Sequence, residues 1–448
     1  MKRIIYFFGI VCLFSICGCA KDWLDIKRNK KQFVPVTLDD AQAILDNFDH
    51  MNTSFPVLAE VGVDDIVIDA EDLTGLYVTD QNAFLWEVDI FGDLDDAGWN
   101  LCYQRVFYAN TVLELLDKLT ERGHIWNDLY GQALFHRSWN FYQLAQLFSP
   151  PYGAVGDDKE YGIPLKLTSN IYEEIERETV ENVYLQIISD LNIAAELIGD
   201  RALLSSRADM RSVHALLAKT YLLMGRYDEA LQHAEYCLEY GHTLLDYKDY
   251  SSTPDMPYPF SQFNDETIFY SQSMSSTIFY ADYKLAEELL SSYEENDLRT
   301  ELYWGNVSGK NGFIGSYSAN MYMFNGIAYD EVFLIKAESN FRLGNADQAL
   351  IDLNYLLEHR YDDTFEPLII SGELILERIL KERRKQLLFR SIRWSDIRRL
   401  YINHDVRDTL SRMMDGQLYQ LESGDRRFTL PISKKVIELG GLNQYPRE

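Results

Sequence analysis

Two stretches of the chain share a pattern that is typical of paired helices, and they lie more than 100 residues apart. Each has an aromatic residue, Tyr221 or Phe341, three or four residues before a glycine, Gly225 or Gly344. An alanine follows each glycine after five residues. Glycine can take the left-handed conformation that ends a helix, and alanine lets a second helix pack closely. The spacing therefore predicts two helix-turn-helix units.

This pattern resembles the tetratricopeptide repeat, in which helical pairs stack into one elongated body. Three further stretches have helical periodicity, at residues 100–119, 131–148 and 179–198. In the last of these, Thr179 can cap the helix, and apolar residues recur on one face. We therefore predict a mainly all-α fold, a tetratricopeptide-like α-α superhelix.

Residues 246–326 interrupt the helical pattern. Tyr, Phe and Trp make up 17 of these 81 residues, compared with 13% of the whole chain. Short strands are predicted there at Glu266–Tyr270 and Thr277–Tyr280. A helix is predicted at Leu285–Tyr293 and an irregular loop at Gly305–Asn320. We expect a helical scaffold at approximately 100–245 and 327–400, within a single domain spanning 19–448. The irregular, loop-rich region between its two parts is the expected place for ligand binding.

Residues 1–18 have the features of a lipoprotein signal peptide. Two basic residues precede the apolar run Ile4–Ile16, which is shorter than the ~20 residues that cross a membrane. The run ends in Ile-Cys-Gly-Cys, similar to a bacterial lipobox, so we expect Cys19 to be lipidated. Several acyl chains anchor a protein firmly without a transmembrane helix, at about 0.8 kcal/mol per buried methylene. An ordinary signal peptide cut near Ala20 is the alternative.

The charge of the chain argues against a polyanionic partner. It has 70 acidic and 42 basic residues, a net charge of −28 at pH 7. Such a surface repels phosphate backbones and anionic headgroups, so we expect no nucleic-acid partner and attachment to the membrane only through lipid. After the signal peptide and Cys19, only Cys102 and Cys237 remain, too few for a disulfide framework or a zinc cluster. Both are predicted to be small buried helical residues.

The sequence contains no recognisable catalytic or cofactor motif, and its eight histidines show no pair at metal-ligand spacing. Asp93–Gly98 resembles the start of a calcium loop, but Gln104 stands where a bidentate glutamate is expected. An acidic turn before a helix is the favoured interpretation. Lys381–Lys385 is interpreted as a solvated or salt-bridged helix face. We therefore expect no catalytic residues, metal or cofactor, although a carboxylate pair suited to glycoside hydrolysis stays open.

Ordered motifs along almost the whole chain after the signal peptide resemble those of SusD/RagB-type lipoproteins. They are Cys19–Asp25, Trp99–Tyr103, Ala109–Asn110, Tyr161–Leu165, Thr179–Leu191, Tyr293–Arg299, Glu382–Arg398, Leu430–Ile432 and Leu442–Gln444. The resemblance implies four tetratricopeptide-like units with an irregular region packed against them.

The same resemblance implies a function. Proteins of this type are outer-membrane lipoproteins that face the exterior, close over a SusC-like TonB-dependent transporter and deliver a nutrient to it. The implied ligand is an oligosaccharide, with a peptide, as in RagB-like members, as the alternative. Two other interpretations stay open, a secreted glycan-degrading enzyme and a purely structural repeat scaffold.

A glycan ligand would require exposed aromatic rings, because the apolar C–H face of a sugar packs on an aromatic face. The candidates lie in the least regular regions, 70–90 and 246–326. They are Tyr77, Trp86, Tyr258, Trp304, Phe313 and Tyr317. For each, packing within the core or a loop is the alternative. Three tryptophans of the helical motifs are predicted to be core residues: Trp99, Trp139 and Trp394. Trp23 is assigned to the N-terminal tether.

Overall fold

The structure is a computed structural model that describes residues 34–448, except 252, 254, 255, 308, 309 and 404–408. The predicted signal peptide, Cys19 and Trp23 lie outside the described residues. The helices, in chain order, are α1 Leu38–Leu45, α2 Phe48–Met51, α3 Leu58–Gly62, α4 Ala70–Thr74, α5 Val78–Phe84, α6 Ala97–Lys118, α7 His124–Phe148, α8 Val180–Leu197, α9 Met210–Leu223, α10 Tyr227–Glu239, α11 Glu287–Leu290, α12 Arg299–Tyr303, α13 Tyr329–Arg342, α14 Ala346–Glu358, α15 Glu373–Gln386, α16 Arg393–Ile402 and α17 Lys434–Gly440.

The strands are short and pair in twos. They are β1 Ile66–Ile68, β2 Thr267–Phe269, β3 Tyr283–Leu285, β4 Trp304–Val307, β5 Lys310–Phe313, β6 Ile327–Ala328, β7 Thr409–Met414 and β8 Gln417–Glu422. The antiparallel pairs are β1 with β3, β2 with β6, β4 with β5 and β7 with β8. The prediction of a mainly α-helical fold is thereby confirmed.

The two repeat-like hairpins form as predicted. Helix α9 packs on α10, and α13 packs on α14. The backbone turns through Gly225 at φ +69° and Gly344 at φ +86°, conformations that L side chains rarely adopt. Helix α10 also packs directly on α13. Two hairpins far apart in sequence are therefore neighbours in space, and the chain from 246 to 326 leaves the helical stack between them.

Helix α7 lies at the centre of the first part of the scaffold, where it packs against both α6 and α8. From Gly131 to Phe148 all of its residues are buried, as expected for a helix that neighbours surround. Trp99, Trp139 and Trp394 are buried, which confirms that they are core residues. Cys102 and Cys237 are free and buried in α6 and α10, also as predicted.

The irregular region contains more regular structure than its sequence indicates. Strand β2 confirms one predicted strand. Thr277–Tyr280, however, is a 3-10 turn and not a strand, because the Ser276 hydroxyl caps it by accepting from the Ile278 amide at 3.2 Å. The predicted helix at 285–293 shrinks to α11, since Leu285 belongs to β3. The predicted loop at 305–320 includes most of the β4–β5 hairpin.

Ionised side chains are buried where α12 meets α15. The Arg299 guanidinium contacts Asp297 at 2.7 Å and Glu382 at 2.6 Å, and all three side chains are fully buried. The Lys385 ammonium reaches the same two carboxylates at 2.7 and 3.0 Å. The basic stretch of α15 therefore does form salt bridges, but part of it faces the interior. Among the described residues, no helix combines the length and the apolar character needed to cross a membrane.

Candidate ligand-binding surface

The two least regular parts of the sequence meet in space. Strand β1 pairs antiparallel with β3, which brings the segment before α5 against the irregular region. The Tyr77 amide donates to the Thr277 hydroxyl at 3.0 Å across the same junction. Residues around 77 and around 280 therefore form one continuous surface.

A single buried carboxylate oxygen holds this junction together. Asp80 Oδ2 accepts from the Ser276 hydroxyl at 2.9 Å, the Thr277 amide at 2.7 Å and the Thr277 hydroxyl at 2.6 Å. Hydrogen bonds to an ionised acceptor are stronger than neutral ones. Asp80 therefore fixes α5 relative to the 3-10 turn that carries Tyr280.

Five side chains on this junction form what we call the aromatic surface: Tyr77, Tyr258, Tyr280, Met321 and Tyr322. The side chain of Tyr77 is 72% exposed, and those of Tyr280, Met321 and Tyr322 are 44%, 45% and 37% exposed. The Tyr280 hydroxyl donates to the Met321 sulfur at 3.3 Å. Burial, and then the nearby Tyr280 phenol, raise the pKa of the half-buried Tyr258, so these two phenols are neighbours.

A layer of packed rings supports the aromatic surface from behind. Tyr283 packs edge-to-face against Phe279 at 5.8 Å and against Trp304 at 6.2 Å. Phe313 continues the layer to Phe389 at 5.0 Å, again edge-to-face. The Tyr283 hydroxyl also accepts from the Phe313 amide at 3.1 Å. Such interlocked rings restrict the motion of the segments that carry the exposed tyrosines.

The six aromatic residues predicted as ligand-binding candidates differ in how much of each is exposed to solvent. Tyr77 is highly exposed, and Tyr258 and Trp304 are half-buried. Phe313 belongs to the supporting layer and is buried. Trp86 and Tyr317 are buried more deeply, so in this conformation neither ring presents a face to solvent.

Arginines cover the two deeply buried rings. The Arg412 guanidinium lies 4.5 Å from the ring of Trp86, and the Trp86 indole donates to the Gly62 carbonyl at 2.7 Å. Arg390 lies 4.4 Å from the ring of Tyr317 in the same way. Both arginines are distant in sequence from the rings they cover, so the local pattern gave no sign of these contacts.

Exposed acidic residues lie near members of the aromatic surface in the sequence. Asp69 and Glu71 precede Tyr77 and are exposed, and the exposed Asp282 follows Tyr280. Lys284 is the nearby exposed base on β3. Together with the net charge of −28, these carboxylates make the surroundings of the surface unfavourable to anions.

The acidic turn before α6 serves to start the helix. Asp96 Oδ1 accepts from the Gly98 amide at 2.8 Å, and Asp95 pairs with Lys435 at 2.6 Å. Burial raises the pKa of Asp96 to about 7. In the part of the chain that the structure describes, no group of three or more His, Cys, Asp or Glu side chains could hold a metal ion.

Replacing Asp80 by alanine is expected to lower the free energy of unfolding by about 1–3 kcal/mol, because three donors lose their shared acceptor. Chemical denaturation measures the change. Asp80→Asn should cost less, since it keeps an acceptor oxygen. The control is Asp69→Ala, since Asp69 is exposed and makes no side-chain capping bond; its effect should stay within about 0.5 kcal/mol. Equal effects of the two alanine variants would contradict a role for Asp80 in holding the junction.

Comparisons with known proteins agree with this fold. Residues 22–222 match the SusD-like family model described as starch-binding and associating with outer membrane. SusD-like protein P2 of Formosa agariphila is 24% identical, over 71% of this chain and 75% of that protein.

Solved structures extend the similarity to nearly the whole chain. A SusD superfamily protein from Bacteroides thetaiotaomicron superimposes with a TM-score of 0.72 at 21% identity, covering 92% of this chain and 100% of its own. A SusD-like carbohydrate binding protein from Bacteroides vulgatus gives 0.65 at 18% identity, covering 90% and 96%. These matches confirm the resemblance to SusD-like proteins that the sequence indicated.

Proposed function

We propose that this chain is a non-catalytic, lipid-anchored binding protein of the outer membrane that captures an oligosaccharide on the aromatic surface. The observation that carries the proposal is the group of exposed rings at one fixed junction. The family description names starch binding and the outer membrane, and one similar structure is described as carbohydrate binding. Both descriptions support a glycan as the ligand.

The chemistry of the surface suits a sugar ring. The exposed rings of Tyr77 and Tyr280 offer apolar faces for the C–H side of a pyranose, while their hydroxyls can bond to sugar hydroxyls. Met321 adds an adaptable apolar contact beside them. The rigid layer behind the surface lowers the entropy lost on binding, because the rings are already held in place.

The surrounding charge favours an uncharged glycan. Asp69, Glu71 and Asp282 would repel the carboxylates of uronic acids or the sulfates of sulfated polysaccharides. A neutral oligosaccharide meets no such penalty. We therefore assign the aromatic surface to neutral glycans.

The cellular arrangement is part of the same proposal. Cys19 would carry the lipid and hold the protein at the exterior face of the outer membrane. A SusC-like TonB-dependent transporter would receive the captured glycan. Co-purification of that transporter with the protein from native outer membranes is expected, and its absence from gently solubilised membranes would contradict the delivery step.

A binding screen with parallel product analysis tests the function. The purified protein is titrated with neutral oligosaccharides, with uronic-acid and sulfated ones, and with peptide digests. Binding of a neutral glycan without turnover is the expected result. Binding only to peptides would replace the glycan by a peptide as the ligand, and hydrolysis of a glycan would contradict the non-catalytic assignment.

A further inference from the structure

Two histidines that are 19 residues apart in the sequence meet between α9 and α10. The Nδ1 atoms of His214 and His233 lie 2.9 Å apart, and the ring centroids lie 5.2 Å apart with the planes 25° from parallel. Both side chains are half-buried, so water and small ions can reach them. Neither residue belongs to the aromatic surface.

The separation of the two nitrogens matches metal coordination. Two nitrogen ligands at right angles around an octahedral or square-planar ion such as Ni²⁺ or Cu²⁺, with bonds of about 2.0–2.1 Å, lie about 2.9 Å apart. Imidazole is a common ligand of Zn²⁺, Ni²⁺ and Cu²⁺. Without a metal, one Nδ1 must carry a proton and donate it to the other. A metal ion can replace that proton once each ring rotates so that both Nδ1 lone pairs point at the ion.

Neighbouring aromatic residues hold the pair in place. Tyr221 stacks on His233 with the ring planes 4° from parallel, and Tyr236 lies 5.2 Å from His214. Burial lowers the pKa of each histidine to about 4, with the neighbouring imidazole adding to the shift for His233, which supports neutral rings at neutral pH. Glu229 precedes His233 by one helical turn and now pairs with Arg226.

We propose that His214 and His233 form a two-histidine site for a divalent transition-metal ion. The two imidazoles are the protein ligands, and water completes the coordination. The site lies on the first repeat-like hairpin and is independent of glycan binding. It differs from structural metal sites, which enclose the ion with four protein ligands.

The test is a calorimetric titration of the purified protein, without a polyhistidine tag, with NiCl2 and then with ZnCl2. One saturable site per chain is expected. His214→Ala and His233→Ala should each weaken binding about ten-fold or more, since even groups that only orient a ligand are worth that much in affinity. His359→Ala is the control, because His359 is half-buried as the two proposed ligands are, but lies outside the pair and bonds to the Tyr355 carbonyl. It should bind as the wild type does.

Thermal unfolding with and without metal is the second measurement, in case the alanine variants fold poorly. The metal should raise the melting temperature of the wild type and of His359→Ala, but not of His214→Gln or His233→Gln, which keep side chains of similar polarity. The proposal is overturned if the histidine variants bind Ni²⁺ as tightly as the wild type. It is also overturned if the wild type shows no saturable binding up to about 1 mM, which corresponds to only about 4 kcal/mol.

Discussion

Replacing Arg299 by methionine is expected to lower the free energy of unfolding by about 3–5 kcal/mol, the largest loss of stability that we predict for this chain. Arg299 is fully buried and donates to both oxygens of Asp297 and to Glu382. Burial alone would raise the pKa of Glu382, but Arg299 and Lys385 lower it on balance. Without the guanidinium, Asp297 keeps only its contact with Lys385, and Glu382 keeps those with Lys385 and Arg378.

Chemical denaturation of the Arg299→Met variant provides the measurement, with an exposed ion pair as the control. Lys435 contacts Asp95 at 2.6 Å, but the side chains are 63% and 35% exposed. Lys435→Met should therefore change the free energy of unfolding by only about 0–1 kcal/mol. Equal losses of stability in the two variants would contradict a larger contribution of the buried ion pairs to the fold.

Replacing Glu60 by glutamine is expected to stabilise the protein at alkaline pH. Glu60 lies in α3 with 1% of its surface exposed, and its Oε2 atom has no hydrogen-bond partner among the described residues. Burial, and then repulsion from Asp65, raise its pKa to about 8. An unfolded chain has an ordinary glutamate pKa of about 4.3. The folded protein therefore keeps a proton that the unfolded chain releases.

The sign of the pH dependence follows from this difference. The protonated carboxyl contributes its full stability below about pH 4.3, and the contribution is lost as the pH rises toward about 8. At 1.36 kcal/mol per pKa unit, the loss at this one group is about 5 kcal/mol. The neutral amide in Glu60→Gln does not titrate. The variant and the wild type should therefore be similar near pH 4 and differ by this amount above pH 8.

Unfolding free energies measured from about pH 4 to pH 9 test the expectation. Groups other than Glu60 titrate in both proteins, so only the difference between the two curves is compared. Glu71→Gln is the control, since Glu71 is exposed and its replacement should give parallel curves. A difference between Glu60→Gln and wild type that stays constant across this range would contradict a raised pKa for Glu60.

The sequence predicted the helices well because their signals are local. Periodic apolar residues, a capping Thr179 and the turn glycines Gly225 and Gly344 each act within a few residues of their own position. The irregular region was predicted less well. Strand β3 is three residues long and forms because the distant strand β1 lies beside it. The β4–β5 hairpin pairs locally, but each of its strands has only four residues.

The aromatic surface was only partly predictable for the same reason. Composition pointed to the two regions that meet at this surface, and Tyr77 was among the predicted candidates. Exposure, however, depends on what covers a ring: Arg412 covers Trp86, and Arg390 covers Tyr317. Tyr280 was not among the predicted candidates, and its segment was predicted to be a strand. Met321 lies beside Tyr280 although the two residues are 41 positions apart in the sequence.

The contacts between charged and between titratable groups were the least predictable. Lys381–Lys385 has the composition of a solvated helix face, yet Lys385 is fully buried among carboxylates. His214 and His233 have no meaningful spacing in the sequence and meet only through the turn at Gly225. Such contacts follow from the packing of helices, which one sequence does not specify residue by residue.

The most direct test of the central claim is the affinity of a neutral oligosaccharide for the wild type and for a Tyr77→Ala/Tyr280→Ala double variant, measured by calorimetry. Tyr172→Ala is the matched control, because Tyr172 is a tyrosine that is 87% exposed in a loop outside the aromatic surface. We predict that the double variant binds about 5- to 150-fold more weakly, from about 0.5–1.5 kcal/mol for each of the two stacked rings, and that the control binds as the wild type does. Undiminished binding by a correctly folded double variant would contradict glycan capture on the aromatic surface.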